Sequence, residues 1–552
     1  MHDEETPVLV VGGGLAGLST ALFLSHHDVP VLLVERRSDS MVHPRARSIN
    51  PRSVELFRQA GIVDSIVANR SYSSHSDSIL FRAETLTGPE RFRSQLDPPS
   101  TIGKVTPAEW APIDQDRLEA VLRDAARARG ARIEFATELS GLEQDEQGVT
   151  AVLTATGTGE RRRVRAGYAV AADGGRSRIR DREGIGTHGR GTLGHTMTFV
   201  FEADLSGPLR GRRLGVGHLD RPRTGTVLLQ HNGERRWVFS TPYSPEESES
   251  PARVGDEQCI RMVRDAVGVP DLDVRVVPQL EDGTKVLGYE LAARVADRLR
   301  SGRVLIVGDA AHVMPPTGAF GASTGIADAH NLAWKLAAVL RKEAGAGLLD
   351  TYEQERLPVA ELTVEQALNQ LHGRTAEKAP GGDGEAERSP FAAYDYYATV
   401  FGYRYSSEAV CADGDADADP RPVLDATELR GIPGTRAPHA PIRGLGSSAS
   451  TLDLFGAGFV LLAGSDSGDW AEGMRAVNRR SGARVDVRAL GTDIGDPEKE
   501  VAAAYRLDAA GAVLVRPDGF VAWRADEPAG SADTAEALLA GVLRRCLCAG
   551  EV

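Results

Sequence analysis

Apolar residues near the start of the chain form two short runs, separated by a stretch with helical character. Residues 8–11 and 31–34 are continuous and apolar, which is typical of buried parallel strands. Residues 18–25 between them are predicted to continue as a helix. A third apolar run at residues 304–307 precedes a helix whose apolar face carries Ile326, Ala329, Ala333 and Leu336. This order of strands and helices predicts an α/β fold with a parallel sheet.

The middle of the chain has a different period. Between residues 192 and 299, apolar and polar residues alternate in several segments, and these are predicted as strands at residues 197–201, 224–230, 236–241 and 285–290. A helix is predicted at residues 256–267. The simplest interpretation is an antiparallel sheet inserted between two parts of the α/β domain, placed to form the floor of a ligand pocket.

A third region follows an acidic stretch at residues 412–420. In this last region, strands are predicted at residues 451–455, 459–463, 485–490 and within 511–523. The first region has further predicted strands at residues 131–139, 149–153 and 164–170. Helices are predicted at residues 468–480 and 534–545, and Pro517-Asp-Gly519 is a hairpin turn signal. This pattern indicates a separate small α/β domain.

Composition narrows the function classes. The chain has 552 residues and a formal net charge of −14, which argues against nucleic acid and anionic membrane surfaces as partners. No apolar run is long enough to span a bilayer. The four cysteines have no zinc or Cys-x-x-Cys spacing, so neither a metal site nor dithiol chemistry is expected. With an acidic N-terminus that does not look like a signal peptide, the expected location is cytoplasmic.

The first apolar run leads directly into a dinucleotide-binding motif. Gly12-x-Gly14-x-x-Gly17 lies between strand and helix, and Glu35 ends the next strand. Gly12 makes the turn, Gly14 lets a pyrophosphate approach the backbone, Gly17 lets helix and strand pack closely, and Glu35 can bind ribose hydroxyls. An acidic residue here favours FAD or NAD over NADP.

The third apolar run ends in a loop with few side chains. Gly308 and Asp309 end the strand, Pro315 and Pro316 force an extended turn, and glycines precede the next helix. Such a loop presents backbone N–H groups and the positive end of a helix dipole to an electron-rich ligand. Asp309 can accept hydrogen bonds from sugar-like hydroxyls.

A basic loop follows the dinucleotide motif. Arg45, Arg47 and Arg52 lie in a loop that leads into a helix at about Ser53. The loop is either a solvated basic surface or an anion contact for a dinucleotide or a second cofactor. Its closeness to the motif favours the anion contact.

Three separated motifs together resemble the class A flavoprotein monooxygenases, the p-hydroxybenzoate hydroxylase-like group, and most of all their aromatic polyketide hydroxylase branch. They are Gly12-x-Gly14-x-x-Gly17 with Glu35, Asp173-Gly-x-x-Ser-x-x-Arg180, and Gly308-Asp309-Ala-Ala-His-x-x-Pro315-Pro316. The resemblance covers nearly the whole chain. It implies a Rossmann-like FAD-binding domain of the glutathione reductase type, an inserted antiparallel-sheet substrate domain and a C-terminal thioredoxin-like domain without redox cysteines.

The resemblance also implies domain bounds and cofactor contacts. The FAD-binding domain is expected at residues 1–75, 101–190 and 300–375, the substrate domain at 76–100 and 191–299, a helical or loop linker at 376–425 and the thioredoxin-like domain at 426–552. The residues expected to bind FAD are Gly12, Gly14, Leu15, Ala16, Gly17, Glu35, Arg36, Arg45, Gln115, Leu139, Asp173, Asp309, Pro316, Gly321, Ala322 and Ser323.

The activity implied is hydroxylation of a polycyclic, polyketide-type phenol in antibiotic or secondary-metabolite biosynthesis. FAD would stay bound, NADPH or NADH would dock transiently, and O2 would react through a C4a-hydroperoxyflavin. Only one dinucleotide motif is present, which agrees with transient docking. The loop Gly321-Ala-Ser323 differs from the common Gly-Gln-Gly-Met-Asn form, so only its backbone contacts are expected to persist.

Catalytic roles are expected for Arg45, at the flavin, and for Arg404, near the substrate. Arg404 has the alternative of only bridging domains. His218, Trp237 and Tyr243 lie in the inserted sheet and are either pocket residues or plain sheet packing, and His312 is interpreted as structural.

Two alternative functions remain: Baeyer–Villiger oxygen insertion, and a non-catalytic flavin-fold protein that shelters an intermediate. The protein is expected to be a monomer or homodimer.

Overall fold

The computed structural model describes residues 3–39, 45–71, 78–95, 99–231, 235–247, 249–280, 282–375, 394–412, 421–443, 449–481, 483–496 and 499–549. Most of the predicted linker, at residues 376–393 and 413–420, lies outside the described residues. The strands, in chain order, are β1 (Asp3–Val11), β2 (Val31–Val34), β3 (Ser78–Ala83), β4 (Glu90–Gln95), β5 (Arg132–Glu134), β6 (Thr137–Gln144), β7 (Val149–Ala155), β8 (Arg161–Ala171), β9 (Thr187–Glu202), β10 (Arg213–Leu219), β11 (Thr226–Gln230), β12 (Arg236–Tyr243), β13 (Arg275–Val277), β14 (Val286–Ala296), β15 (Arg300–Ser301), β16 (Val304–Ile306), β17 (His312–Val313), β18 (Val460–Ala463), β19 (Asp486–Ala489), β20 (Ala512–Val515) and β21 (Val521–Ala525).

The helices connect and cover these strands. In chain order they are α1 (Leu15–His26), α2 (Pro51–Gln59), α3 (Val63–Ala68), α4 (Ile102–Val105), α5 (Gln115–Ala128), α6 (Arg178–Arg182), α7 (Ser206–Leu209), α8 (Asp256–Val267), α9 (Phe320–Leu340), α10 (Asp350–Thr375), α11 (Tyr396–Phe401), α12 (Gly468–Ser481), α13 (Glu500–Tyr505) and α14 (Ala532–Cys546).

The first sheet is built around parallel strands. Its order is β15-β16-β8-β1-β2-β5, and β1 pairs in parallel with both β2 and β8, while β16 pairs in parallel with β8. The apolar strands are buried on both faces, with Val8, Leu9 and Val10 fully buried, because helices cover the sheet. The carboxyl ends of four neighbouring strands therefore lie along one edge.

The second sheet is mostly antiparallel, with order β17-β14-β9-β12-β11-β10-β3-β4 and β13 beside β9. On one face, Phe199, Phe201, Trp237 and Phe239 pack with Cys259 and Val263 of helix α8. Helix α8 occupies the predicted residues because its apolar positions have helical spacing and Gly268, at φ 79°, ends it. We call this the helix face of the second sheet, and the opposite side the open face.

The third sheet belongs to the end of the chain. Its order is β19-β18-β20-β21, with β18 parallel to β19 and antiparallel to β20. The predicted hairpin is formed by β20 and β21 around Pro517-Asp-Gly519. Trp334, Ala338 and Leu348 share a core with residues of this region such as Phe459 and Cys546, so the third sheet packs against α9.

One predicted strand was wrong, and another is divided in two. Residues 451–455 form a short 3-10 helix (Thr451–Leu454), because Ser450 and Asp453 make a reciprocal capping box. Residues 131–139 are not continuous: the chain turns at Ala136, at φ 51°, which separates β5 from β6. Within the described residues, no helix combines the length and the apolar character that crossing a membrane requires.

Candidate active site

Four predicted site residues follow four neighbouring strands of the first sheet. Gly12 follows β1, Glu35 follows β2, Asp173 comes two residues after β8, and Asp309 comes shortly after β16. Because β16, β8, β1 and β2 are adjacent and parallel, these residues meet at one edge. Crevices at the carboxyl ends of such strands are where α/β sheets bind ligands.

The three motif glycines are needed for different reasons. Gly12 has φ 114°, and a Cβ atom there would lie 2.2 Å from the carbonyl oxygen of Ala172. A Cβ atom on Gly17 would lie 1.9 Å from the carbonyl oxygen of Gly12, so Gly17 lets α1 cross β1 closely. At Gly14 the nearest atom to such a Cβ is Glu119 Oε1 at 3.9 Å, so this backbone faces open space.

The start of helix α1 can bind an anion. Gly14 is its N-cap residue and provides no side-chain cap, so the first N–H groups remain available. Leu15 is buried, whereas Ala16 packs beside the next loop: a Cβ on Gly308 would lie 2.6 Å from Ala16 Cβ. This arrangement fits the pyrophosphate of a dinucleotide.

Glu35 is anchored where an adenosine ribose would lie. It is 8% exposed, its Oε2 accepts a hydrogen bond from Gly13 N at 2.7 Å, and its Oε1 accepts one from Arg37 N at 2.9 Å. Each carboxylate oxygen can accept a second hydrogen bond, so capacity for ribose hydroxyls remains. The neighbouring Arg36 is exposed.

Two aspartates complete the edge. Asp173 Oδ2 accepts a hydrogen bond from Ile179 N at 3.3 Å, while its Oδ1 is buried without a partner among the described residues. Asp309 is exposed at the end of the third apolar run. These two carboxylates, after neighbouring strands, suit a ligand rich in hydroxyl groups.

Helix α9 points its N-terminus into the same region. It begins at Phe320, so Gly321, Ala322 and Ser323 form its first turn, and the left-handed N-cap Ala319, at φ 55°, offers no side-chain cap. Pro316, three residues earlier, is exposed. Ser323 Oγ accepts a hydrogen bond from Asn50 N at 3.5 Å. Free N–H groups at this end can stabilise negative charge on a ligand.

Gln115 joins the site to the basic loop. Its Oε1 accepts a hydrogen bond from Ala46 N at 3.2 Å, and its Nε2 donates to Glu119 Oε1 at 2.7 Å. Arg45, next to Ala46, is exposed, and Leu139 is half-buried against the first core. The structure thus brings Arg45 and Gln115 together near Gly14.

The basic loop is not the single anion-binding cluster that was expected. Arg47 donates to Asp114 and to the carbonyl of Gln230 in the second sheet. Arg52 is buried and donates to Glu55 at 2.9 Å. Both cations are used for internal packing, which leaves Arg45 as the arginine of the three that faces solvent.

The second sheet meets the region of this site at the end of β11, where Arg47 donates to the carbonyl of Gln230 and His231 lies against Asp114. Along β3, β10 and β11, the half-exposed side chains of the open face are the apolar Leu80, Val216, Val227 and Leu229, together with Arg82 and His218. Cross-strand pairs His218–Val227 and Val216–Leu229 put these side chains on one face. Tyr289, exposed, lies on this face with Ser240, whose cross-strand neighbour is Thr198.

Of the three predicted substrate residues, the structure brings only His218 to the open face. Trp237 is 1% exposed, and its indole N–H donates to Ala203 O at 3.1 Å. Trp237 and Tyr243 lie on the helix face, since they pair with Phe201 and His195 across β9. The period-two pattern could not reveal which face α8 would cover.

This crevice fits FAD. Its carboxylates can accept hydrogen bonds from hydroxyl groups, the N-termini of α1 and α9 can bind negative charge, and the space beside Gly14 admits a pyrophosphate. A family model described as FAD binding domain matches residues 5–367, and one described as aromatic-ring hydroxylase, C-terminal, matches residues 430–549. The chain belongs to the FAD-dependent aromatic-ring hydroxylases.

Relatives of this hydroxylase match over its full length. It is 42% identical over 562 residues to aklavinone 12-hydroxylase of Streptomyces purpurascens, covering 99% of this chain and 100% of the relative. It is 41% identical to tetracenomycin A2 monooxygenase-dioxygenase of Streptomyces glaucescens, covering 95% and 94%. The crystal structure of aklavinone-11 hydroxylase with FAD and aklavinone superposes with a TM-score of 0.88 at 40% identity, covering 99% and 100%.

Arg404 of the hydroxylase contacts the C-terminal region. Its Nε donates to the carbonyl of Pro433 at 3.1 Å, and its Cγ lies close to Gly434. This contact agrees with the domain-bridging alternative, while its catalytic role stays a prediction. His312 fits its structural interpretation, because its Nε2 lies 2.7 Å from the buried Asp328 Oδ2.

Sequence reasoning missed two polar groups of the hydroxylase. Glu119 is 3% exposed beside Gly14, and burial raises its pKa to about 7 despite the hydrogen bond from Gln115 and the charge of Arg45. His231 lies against Asp114 where the first and second sheets meet. Glu119 could have been noticed as a carboxylate one helical turn after Gln115, whereas the His231 pairing depends on tertiary structure.

Proposed function

We propose that this enzyme uses NAD(P)H and O2 to hydroxylate a polycyclic, polyketide-type phenol in antibiotic or secondary-metabolite biosynthesis. The observation that carries the choice of substrate is the open face of the second sheet. Leu80, Val216, Val227 and Leu229 form a broad apolar surface on strands of a regular sheet. A flat, fused-ring molecule can cover such a surface, and burial of apolar area then supplies most of the binding free energy.

The roles of the chain's residues follow from their positions. When bound, FAD would supply the redox chemistry with the nicotinamide nucleotide and O2. Gly14 and the start of α1 would hold its pyrophosphate, Glu35 its adenosine ribose, and Asp309 its ribityl hydroxyls. The N-terminus of α9, with Gly321, Ala322 and Ser323, would stabilise negative charge on the flavin ring. Arg45 would contact the flavin.

The domain organisation is part of the same proposal. We assign the FAD-binding domain to the first sheet and its helices, and the substrate domain to the second sheet, which includes β3 and β4 as well as β9 to β14. The third sheet supports a thioredoxin-like domain, since its four strands have the order 2-1-3-4 and the third strand runs opposite to the other three. We further propose a monomer or homodimer, acting in the cytoplasm where NAD(P)H is supplied.

The test is NAD(P)H oxidation by the FAD-loaded enzyme with a panel of fused-ring phenols under ¹⁸O₂. Hydroxylation predicts that one ligand class accelerates NAD(P)H oxidation, and that a single ¹⁸O atom appears in the product as a new phenol. NMR of the product distinguishes this from a lactone, which would indicate Baeyer–Villiger insertion. Tight ligand binding without accelerated NAD(P)H oxidation would instead support the sheltering role.

A further inference from the structure

Two buried polar atoms face each other without hydrogen bonds where the first and second sheets meet. Asp114 is 1% exposed; its Oδ1 accepts from Arg47, and its Oδ2 has no hydrogen-bond partner among the described residues. His231 Nδ1 lies 3.6 Å from that Oδ2 and also lacks a partner in the described part of the chain. Buried polar atoms are normally paired, so such a couple needs a structural or functional explanation.

The position of His231 connects it with the open face. It directly follows β11, and its N–H donates to Arg236 O at 2.8 Å, so it continues the strand pairing. Side chains alternate along a strand, which puts His231 on the same face as Val227 and Leu229. Asp114, its neighbour, immediately precedes Gln115 of the FAD site. His231 thus lies between the apolar surface and the flavin crevice.

We propose that His231, oriented by Asp114, accepts a hydrogen bond from a phenolic hydroxyl of the substrate. This inference rests on the proposed function and adds a polar anchor to its apolar surface. With Nδ1–H directed at Asp114, the other ring nitrogen, Nε2, carries the free lone pair. A hydrogen bond from the phenol to that lone pair increases electron density in the ring that is to be oxygenated.

The charges around His231 keep its imidazole neutral, as an acceptor must be. Burial and, after it, the charges of Arg47, Arg236 and Arg117 together lower the pKa of His231 to about 4, although the Asp114 charge opposes them. Because the imidazole is neutral near pH 7, it can accept from a phenol; an imidazolium has no lone pair to offer.

The experiment compares two probes, 2,6-dihydroxyanthraquinone and its dimethyl ether, by titration of the flavin absorbance of the FAD-loaded enzyme. The ether keeps the rings but cannot donate a hydrogen bond. For His231→Phe we expect about a 5- to 30-fold weaker affinity for the dihydroxy probe and little change for the ether. His231→Gln, which retains an acceptor, should recover part of the loss.

His195→Phe is the matched control, because His195 is a half-buried histidine of the same sheet on the helix face. It should leave the affinities for both probes unchanged, and bound FAD and thermal midpoint verify that each variant is folded. Equal effects of His231→Phe on both probes, or none, overturn the role of His231 while the proposed function stands. If the wild-type enzyme binds neither probe, the fused-ring phenol class itself is wrong, and the inference falls with it.

Discussion

Gly14 and Gly17 lie three residues apart in one turn, yet they have different tasks. A methyl group on Gly17 would meet the Gly12 carbonyl oxygen at 1.9 Å, whereas on Gly14 it would meet no atom closer than 3.9 Å. Gly17 is therefore required by the fold. Gly14 is required only if a ligand occupies the space beside it.

Substitution by alanine separates these tasks. Gly17→Ala should lower the free energy of unfolding by about 1–3 kcal/mol or more, because backbone must move to admit the methyl group. Gly14→Ala should leave stability nearly unchanged but weaken FAD binding by about 10- to 100-fold, since the methyl group occupies the pyrophosphate position. Urea unfolding of the apoprotein and flavin fluorescence titration measure the two effects. If Gly14→Ala and the wild type bind FAD with equal affinity, the pyrophosphate does not lie beside Gly14.

Glu119 should make FAD binding depend on pH. Burial raises its pKa to about 7 in the free protein. Below pH 7 the carboxyl is neutral and FAD affinity should be flat. Above pH 7 the carboxylate repels the nearby pyrophosphate, or must take up a proton on binding, so affinity should fall by up to about tenfold per pH unit.

The control for this pH dependence is Glu119→Gln, which mimics the neutral carboxyl. FAD dissociation constants measured by fluorescence between pH 6 and 8.5 should then stay nearly constant in the variant while those of the wild type rise. Parallel pH curves for both proteins would show that Glu119 is not the titrating group.

At the scale of elements, one buried carboxylate of helix α9 connects the loop at Gly308 and Asp309 to the rest of the protein. Asp328 Oδ2 accepts from Gly308 N at 3.1 Å and from His312 Nε2, and its Oδ1 accepts from Arg356 Nε at 2.8 Å. Burial acts to raise the pKa of Asp328, but His312 and Arg356 more than offset it and hold the pKa below its usual value. This carboxylate fixes the loop that carries Asp309.

Asp328→Asn should therefore lower mainly the stability of the protein, whereas Asp309→Asn should lower mainly its affinity for FAD. Asp328→Asn leaves the buried Arg356 without its charged partner and should cost about 3–5 kcal/mol of unfolding free energy. Asp309→Asn, at an exposed carboxylate, should change stability by less than about 0.5 kcal/mol but weaken FAD binding. Urea unfolding and FAD titration test the pair; a stable Asp328→Asn variant would contradict the loop-fixing role.

The elements that sequence predicted best are those whose local signals agree with their tertiary contacts. Helix α8 occupies the predicted residues 256–267, and α1 and the last hairpin were also predicted correctly. Helix α9 was predicted, but its start was wrong: it begins at Phe320, so Gly321 and Gly325 lie inside it rather than before it. Residues 451–455 were misassigned because a capping box at Ser450 outweighed strand-like composition. The FAD motifs could be located from residues alone, whereas the face of Trp237 and the partners of Arg47 and Arg52 depend on which distant elements pack there.

At the scale of the whole molecule, the C-terminal region is part of the folded core rather than an appendage. The hairpin tip inserts beside α9: Asp518 Oδ2 accepts from Asn331 and from Trp334, both at 3.2 Å. Arg516 Nη2 donates to Glu355 Oε2 at 2.8 Å, and Lys335 Nζ donates to the same oxygen at 2.7 Å. All of these side chains are buried. A module that served only to recruit partners would not need such contacts.

Arg516→Ala tests this integration. Removing the guanidinium leaves the buried carboxylates of Glu355 and Asp518 without their main cation, so we expect a loss of about 3–5 kcal/mol and a lower thermal midpoint. Trp334 and Lys335 belong to α9, whose N-terminus is proposed to contact FAD. Unfolding of the C-terminal region (the tail) and release of FAD should therefore occur together. The control is Arg480→Ala: Arg480 is 79% exposed and pairs with Glu536 inside the tail, so its loss should change stability by less than about 0.5 kcal/mol. Tryptophan and flavin fluorescence, followed in one melt, measure both events. Two separate transitions in Arg516→Ala, with FAD retained after the tail has melted, would show that the tail folds and acts independently of the flavin site.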